Sequence, residues 1–489
     1  MAEGGPAVKF FPDVLPLQGE IRWPWSIKPA PIIFSILTGL ILALLFLEIG
    51  PLTLPIVFSL FFVLPWLAQN PFRLFIWLVV TWPILTLYVR IPLPGGIPDL
   101  SYDRVLALAL VSLILIEALL LKRYLMKGTA LDILAFLYVI AQIGARLSVI
   151  WFGGVGTPDL NGFLDVILIP VMLYWSVKNL LVSDGHLTWL LCTLVLASMF
   201  VCPTGLYEQA VGTRIFKASI SMGGTEVQYQ WRDAQGGLRA AGALANPAIY
   251  GAVLGIGSLA SLCCLPLAKQ RTAQTALLAT IGILLYGVFA SYTRSAWLSV
   301  FVVLFAAQFF LDGMWKKTLP IIMSGLLLLT LLWNVIPNSS NILKRALDTK
   351  TVVQRLDLNY IGWTRFLEKP LTGWGTGALN IFDAMGEGDT SHNMYLTFLV
   401  DGGLFLFLSF FAIVGYLLIR SIRVYRKTKR NSVEQNVLVA MAGSVLIFLL
   451  SGIALELRYF GYFNTLFWIC AGVIDYLGEK YSNEETAHG

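Results

Sequence analysis

The sequence predicts an all-α, polytopic integral membrane protein, and three observations carry that reading. The 489-residue chain is 57% hydrophobic and only 13% charged, about half the charged share of an ordinary soluble domain. Apolar runs of about 18–22 residues recur along it, each long enough to cross a hydrocarbon core of roughly 30 Å. Those runs lack the short, alternating strand pattern that a transmembrane β-barrel requires.

Read with a window of about 19 residues, the chain yields about fourteen spans. They fall near 31–48, 51–68, 72–89, 104–121, 130–150, 160–177, 187–206, 241–265, 273–291, 295–311, 318–336, 393–420, 436–455 and 460–477. The spans near 51–68, 160–177 and 241–265 contain proline, which membrane helices tolerate. Lys and Arg orient them. Alternate connections carry Arg73; Lys122, Arg123 and Lys127; Lys178; Lys269 and Arg271; Lys316 and Lys317; and the cluster Arg420, Arg423, Arg426, Lys427, Lys429 and Arg430. Basic connections stay cytoplasmic, so an even number of spans puts both termini in the cytoplasm.

This registration divides the chain into a cytoplasmic segment 1–30, an N-terminal bundle 31–206, an outer loop 207–240, central helices 241–336, a large outer loop 337–391, C-terminal helices 392–477 and a cytoplasmic tail 478–489. A loop of that length carries function or helices of its own. Within it, 341–369 mixes apolar and polar residues as short amphipathic helices at a membrane surface do. The first thirty residues show no apolar core of a cleavable signal.

The five cysteines all fall inside expected spans with no C-x-x-C spacing, so they read as packing residues rather than a disulfide framework. Positive charge is dispersed over many connections, which is not a nucleic-acid signature. Arg146 and Asp165 sit at similar depth in neighbouring spans and read as a structural ion pair. "GWGTG" at 373–377 has no preceding strand and no following Lys; it reads as a turn folding the loop back, not a phosphate loop. Gly402 and Gly403 mark a break or a close helix contact.

Basic residues are out of place on the outer face, and four of them sit where a site can form. Arg239 lies at one span mouth, Arg294 at another, and Arg355 and Arg365 lie in the large loop. His392, one of three histidines, opens the span that follows that loop, with Asn393 beside it. Guanidinium groups gathered at one depth repel one another unless an anion lies between them. Their planar forks match a diphosphate and never lose charge, and helix N-termini add partial positive charge. The same positive surroundings favour a neutral imidazole at His392, able to take a proton from a sugar hydroxyl. No ligand set for a metal and no cofactor motif is visible. The bland alternatives are a capping or interfacial role for His392, a cap at Ser391, a snorkelling Arg294 and a solvated Arg355.

"SYTRSAW" at a span mouth, "KPLTGWGTG" in the large loop and "SHNMYLTFLVDGGL" opening the next span, in that order, resemble the O-antigen ligase/O-antigen polymerase family of GT-C-type membrane glycosyltransferases. The resemblance covers about residues 230–420. It implies an inner-membrane enzyme with a periplasmic site. Such an enzyme moves a glycan from an undecaprenyl-diphosphate carrier to an acceptor hydroxyl, on another glycan or on a lipid A core, with inversion and without metal or cofactor. Carried over, the family's loop histidine falls on His392 as base. Its span-mouth and loop arginines fall on Arg294 and Arg355 as diphosphate ligands, with Arg239 as a less clean third match to that role; Arg365 and Asn393 are supporting residues beside them. A chain-length regulator is a candidate partner, alongside membrane lipids; nucleic acid is not. A span count above that of many ligases leans toward polymerisation. Two other classes stay open: a polysaccharide-lipid flippase, which would place its charges nearer the midplane, and a peptidoglycan-type polymerase, whose usual outer-loop acid has no clear counterpart.

Overall fold

The computed structural model describes residues 67–311, 350–378 and 392–488, apart from short stretches at 68, 89, 92, 94–97, 121–124, 152–159, 215, 217–219, 223–224, 228–231, 233–237 and 458–459. The chain divides into two compact units, Met1–Asn70 and Pro71–Gly489. Within the second unit, the helices among the described residues are α1 (Pro71–Leu85), α2 (Tyr102–Leu120), α3 (Ala130–Trp151), α4 (Leu160–Leu180), α5 (Asp184–Val211), α6 (Pro247–Cys264), α7 (Arg271–Ala290), α8 (Arg294–Phe310), α9 (Lys350–Glu368), α10 (Met394–Lys427), α11 (Val433–Gly452) and α12 (Gly461–His488). Among the described residues, seven helices are long and apolar enough to cross a membrane. The expected spans at 31–48 and 318–336, and nearly all of 51–68, lie outside the described residues.

The all-α expectation gains two small features. Antiparallel ribbons β1 (Arg90–Ile91) with β2 (Leu100–Ser101), and β3 (Ile220–Met222) with β4 (Thr225–Val227), occupy segments read as loops. Helix ends follow local chemistry. Asn246 caps α6 by accepting from Ala248 N at 2.8 Å, with Pro247 in the first turn, where a missing N–H costs nothing. Ser183 caps α5 and Ser432 caps α11. Within α4 a π turn covers Leu164–Leu168 just before Pro170; proline cannot donate to the carbonyl four residues back, and the widened turn absorbs that defect.

α6 is the central helix, buried along its whole length and packed by α5, α7, α8 and α11. Its glycines permit the approach: a Cβ at Gly255 would run into Val300 of α8, and one at Gly257 into Ser198 of α5. Close packing of small residues holds membrane helices together where lipid supplies no hydrophobic contrast. Beside this group, α3 packs on α10, and α4 on α12.

Two charge assignments need correction. Asp165 is paired not with Arg146 but with Arg104 of α2, through a two-pronged contact of 2.6 Å from Nε and 2.9 Å from Nη2. That fork uses both carboxylate oxygens, whereas Arg146 lies over the Phe163 ring at 5.0 Å and donates to Gln142. Lys178, read as a loop charge, is 1% exposed. Its Nζ lies 2.7 Å from Asp132 and 2.9 Å from Asp475, while the Tyr174 and Tyr416 hydroxyls donate to Asp132 and Asp475 at 2.6 and 3.0 Å. The cluster ties α3, α4, α10 and α12. Removing one member strands a buried charge, so Lys178→Met is expected to cost about 3–5 kcal/mol, read as a lowered unfolding midpoint of detergent-solubilised protein. The five cysteines carry free thiols, as their placement implied.

Candidate functional site

The site assembles at the end of the bundle where α8 and α10 begin and α11 ends. At α10, Asn393 is the cap: its Oδ1 accepts from Tyr395 N at 3.0 Å and Leu396 N at 3.4 Å. His392 therefore stands one residue before the cap, half-buried, rather than within the first turn. Ser391, the expected alternative cap, lies outside the described residues. The helix start is fastened to α11 and the turn that follows it: Met394 N donates to Leu455 O at 3.1 Å, Tyr395 Oη donates to Leu449 O at 2.6 Å, and Gly452 leaves room for the Met394 side chain. One turn down, Ser451 of α11 and Ser299 of α8 bring their hydroxyls within 3.4 Å. This chain of contacts sets His392 and the Arg294 end of α8 on one face.

Arg294 is the first residue of α8. The turn before it, Ser291–Thr293, is gripped by Arg239, which donates from Nε to Ser291 O at 3.1 Å and from Nη2 to Thr293 Oγ1 at 2.6 Å. The Thr293 hydroxyl in turn donates to Ser291 O and leaves the α8 amides without a side-chain cap. Arg239 and Arg294 thus share one turn, but Arg239, expected as a diphosphate ligand, spends Nε and Nη2 on the Ser291 carbonyl and the Thr293 hydroxyl, the contacts of a residue that shapes the turn. Sequence reading missed the clasp that holds this segment. Glu208, fully buried, accepts from Arg214 Nη1 at 2.9 Å, Phe216 N at 2.9 Å and Gly242 N at 3.0 Å. Arg214 also reaches the Gly242 and Ala245 carbonyls. The only sequence signal was an acid at the end of an apolar run with an arginine following; the structure carries α5 through it to Val211.

Arg355 and Arg365 both lie on α9, inside the region expected to form amphipathic helices. Gly362 faces Leu396, and Phe366 packs with Leu396, Leu399 and Val400, so α9 runs parallel to the start of α10. Seven residues of helix put Arg355 about 10 Å before Gly362, on the side from which the chain enters His392. Arg365 is half-buried and bonded to Glu368 at 3.2 Å. The opposite face of α9 exposes Leu356, Tyr360, Trp363 and Leu367.

The loop after α9 folds back as expected. α10 breaks at Gly403 (φ 64°, ψ −161°), freeing backbone groups that the loop takes up. Trp374 N donates to Val400 O at 2.7 Å, Gly375 N to Asp401 O at 3.0 Å, and Leu404 N donates to Pro370 O at 2.8 Å. Trp374 Nε1 then donates to Arg365 O at 2.8 Å, and Lys369 covers its ring at 4.1 Å. The 24 residues after the break suffice for a span of roughly 30 Å, so the loop sits at the rim.

Seven helices long and apolar enough to cross a membrane fit an integral membrane protein, with the starts of α8 and α10 at one end of the bundle. Residues 279–411 match the family model described as Wzy_C, O-antigen ligase. That stretch, about a quarter of the chain, is similar to the O-antigen ligase family, and it contains the three ordered motifs. It includes Arg294, Arg355, Arg365, His392 and Asn393 and leaves Arg239 outside. No curated protein matches the chain.

Proposed function

We propose that the protein is a metal-independent, inverting glycosyltransferase. It moves a glycan from an undecaprenyl-diphosphate carrier to an acceptor hydroxyl at the periplasmic face of the inner membrane, both termini being cytoplasmic. The observation that carries this reading is the convergence, within the family-matched region, of the α8 start, α9 and the His392 entry to α10. His392 takes the proton of the acceptor hydroxyl. The hydroxyl oxygen forms the new bond at the anomeric carbon, and the bond to the diphosphate oxygen breaks on the opposite side. Arg294, at an uncapped helix start, and Arg355 meet the charge growing on that diphosphate. Arg239 and Asn393 position the two helix starts, and Arg365 anchors the returning loop. The exposed apolar stripe of α9 suits a membrane surface, where a polyprenyl carrier would approach.

The reaction has two forms, chain growth on the carrier and transfer to a lipid A core. Wild-type protein in nanodiscs with a carrier-linked repeat separates them: a ladder on the carrier means polymerisation, and product only after core is added means ligation. No product with either acceptor would refute the reading. Arg294→Ala is expected to lower kcat/KM by about 10²–10³, the usual cost of one donor to developing charge, with the turn still held by Arg239.

A further inference from the structure

At the end of the bundle opposite His392, α10 and α12 enclose a cavity of about 270 Å³. Arg420, Arg423 and Lys427 from α10 face Tyr481 and Ser482 from α12 across it. The cavity depends on Gly478: the Arg420 guanidinium lies across that glycine, and a Cβ there would collide with it. Glu479 steadies Arg420 through Nη2–Oε1 at 2.5 Å, while the buried Arg420 Nε makes no hydrogen bond. The cavity wall carries three cations and no carboxylate among the described residues, next to two hydroxyls able to donate. Such a set fits a compact oxyanion with several acceptor oxygens, and guanidinium forks favour phosphate.

Position decides where that phosphate comes from. Ile419 and Ile422, on the same turns as Arg420 and Arg423, are 53% and 55% exposed. Exposed isoleucine beside arginine, half-buried at Arg420 and exposed at Arg423, is the arrangement of an acyl-chain and headgroup boundary. Arg420 lies 17 residues beyond the break at Gly403, about 26 Å of continuous helix, which puts the cavity near the membrane surface opposite the transfer site. We propose that this cavity binds the phosphate of an anionic phospholipid headgroup. The inference is independent of the reaction proposed above.

Native mass spectrometry of the full-length protein, loaded with phosphatidylglycerol or phosphatidylcholine, tests it. Phosphatidylglycerol is expected to be retained over phosphatidylcholine. Arg423→Gln/Lys427→Gln should weaken that retention about fivefold per removed charge, whereas Arg426→Gln/Lys429→Gln, with equal charge loss outside the cavity wall, should not. Equal retention by wild type and the first variant overturns the proposal, and so does equal weakening by both variants, which would mean diffuse attraction. Displacement of phosphatidylglycerol by millimolar inorganic phosphate would assign the cavity to a soluble anion and overturn the lipid source.

Discussion

His392→Ala is expected to reduce glycan transfer by about 10²–10⁴, the contribution of a positioned general base, while the cap and fastening of α10 stay in place. The structure separates the imidazole from that fastening. The start of α10 is capped by Asn393, not by the imidazole, and is fastened to α11 and the turn that follows it through the Met394 amide and the Tyr395 hydroxyl. Removing the imidazole leaves each of those bonds in place. Asn393→Ala gives the contrasting result: losing the cap costs about 1 kcal/mol of stability and loosens the segment that carries His392, so activity and midpoint fall together. Product gels from protein reconstituted with a carrier-linked repeat, alongside thermal unfolding, check both. Full activity in His392→Ala would remove the base assignment and leave Arg294 and Arg355 as the centre of the site.

What the sequence made legible was depth along the membrane normal. Apolar runs fix where each helix enters and leaves, so Arg294 and His392 could be placed on one face before any contact was known, and the Gly402–Gly403 break and the returning "GWGTG" turn followed from local backbone chemistry. Azimuth was not legible. Arg104 and Arg146 stand at comparable depth, and only the rotation of α2 and α3 about their axes decides which one meets Asp165. The same ignorance hid the burial of Lys178, whose two carboxylate partners come from the preceding helix α3 and from α12 at the far end of the chain, and the Glu208–Arg214 clasp, which requires α5 to run one turn beyond its apolar stretch. Arg239 illustrates the consequence for the site. Its position at a span mouth was readable, but its bonds to the Ser291 carbonyl and the Thr293 hydroxyl were not, and those bonds make it a residue that shapes the Arg294 turn.

Gly403→Ala is expected to be strongly disruptive for a single added methyl. At φ 64° and ψ −161° the backbone occupies a region that is essentially glycine-only, costing about 1–3 kcal/mol for any other residue. A Cβ there would also run into the Leu371 carbonyl, so the returning loop must move. Its bonds to Val400, Asp401 and Leu404 would then be lost, at about 1 kcal/mol each. The damage reaches the site through α9, because Trp374 in that loop bonds the Arg365 carbonyl, and α9 carries both loop arginines. Three readouts should therefore move together: a lower unfolding midpoint, faster amide exchange over 369–378, and loss of transfer. Gly415→Ala is the control, since a Cβ there meets nothing within 4 Å; it should leave exchange and transfer unchanged and raise helix stability slightly. Transfer lost in Gly403→Ala while residues 369–378 stay protected would mean that the break itself, not the docked loop, positions the site, because the helix above Gly403 would then have swung its His392 end away from α8 with the loop still attached.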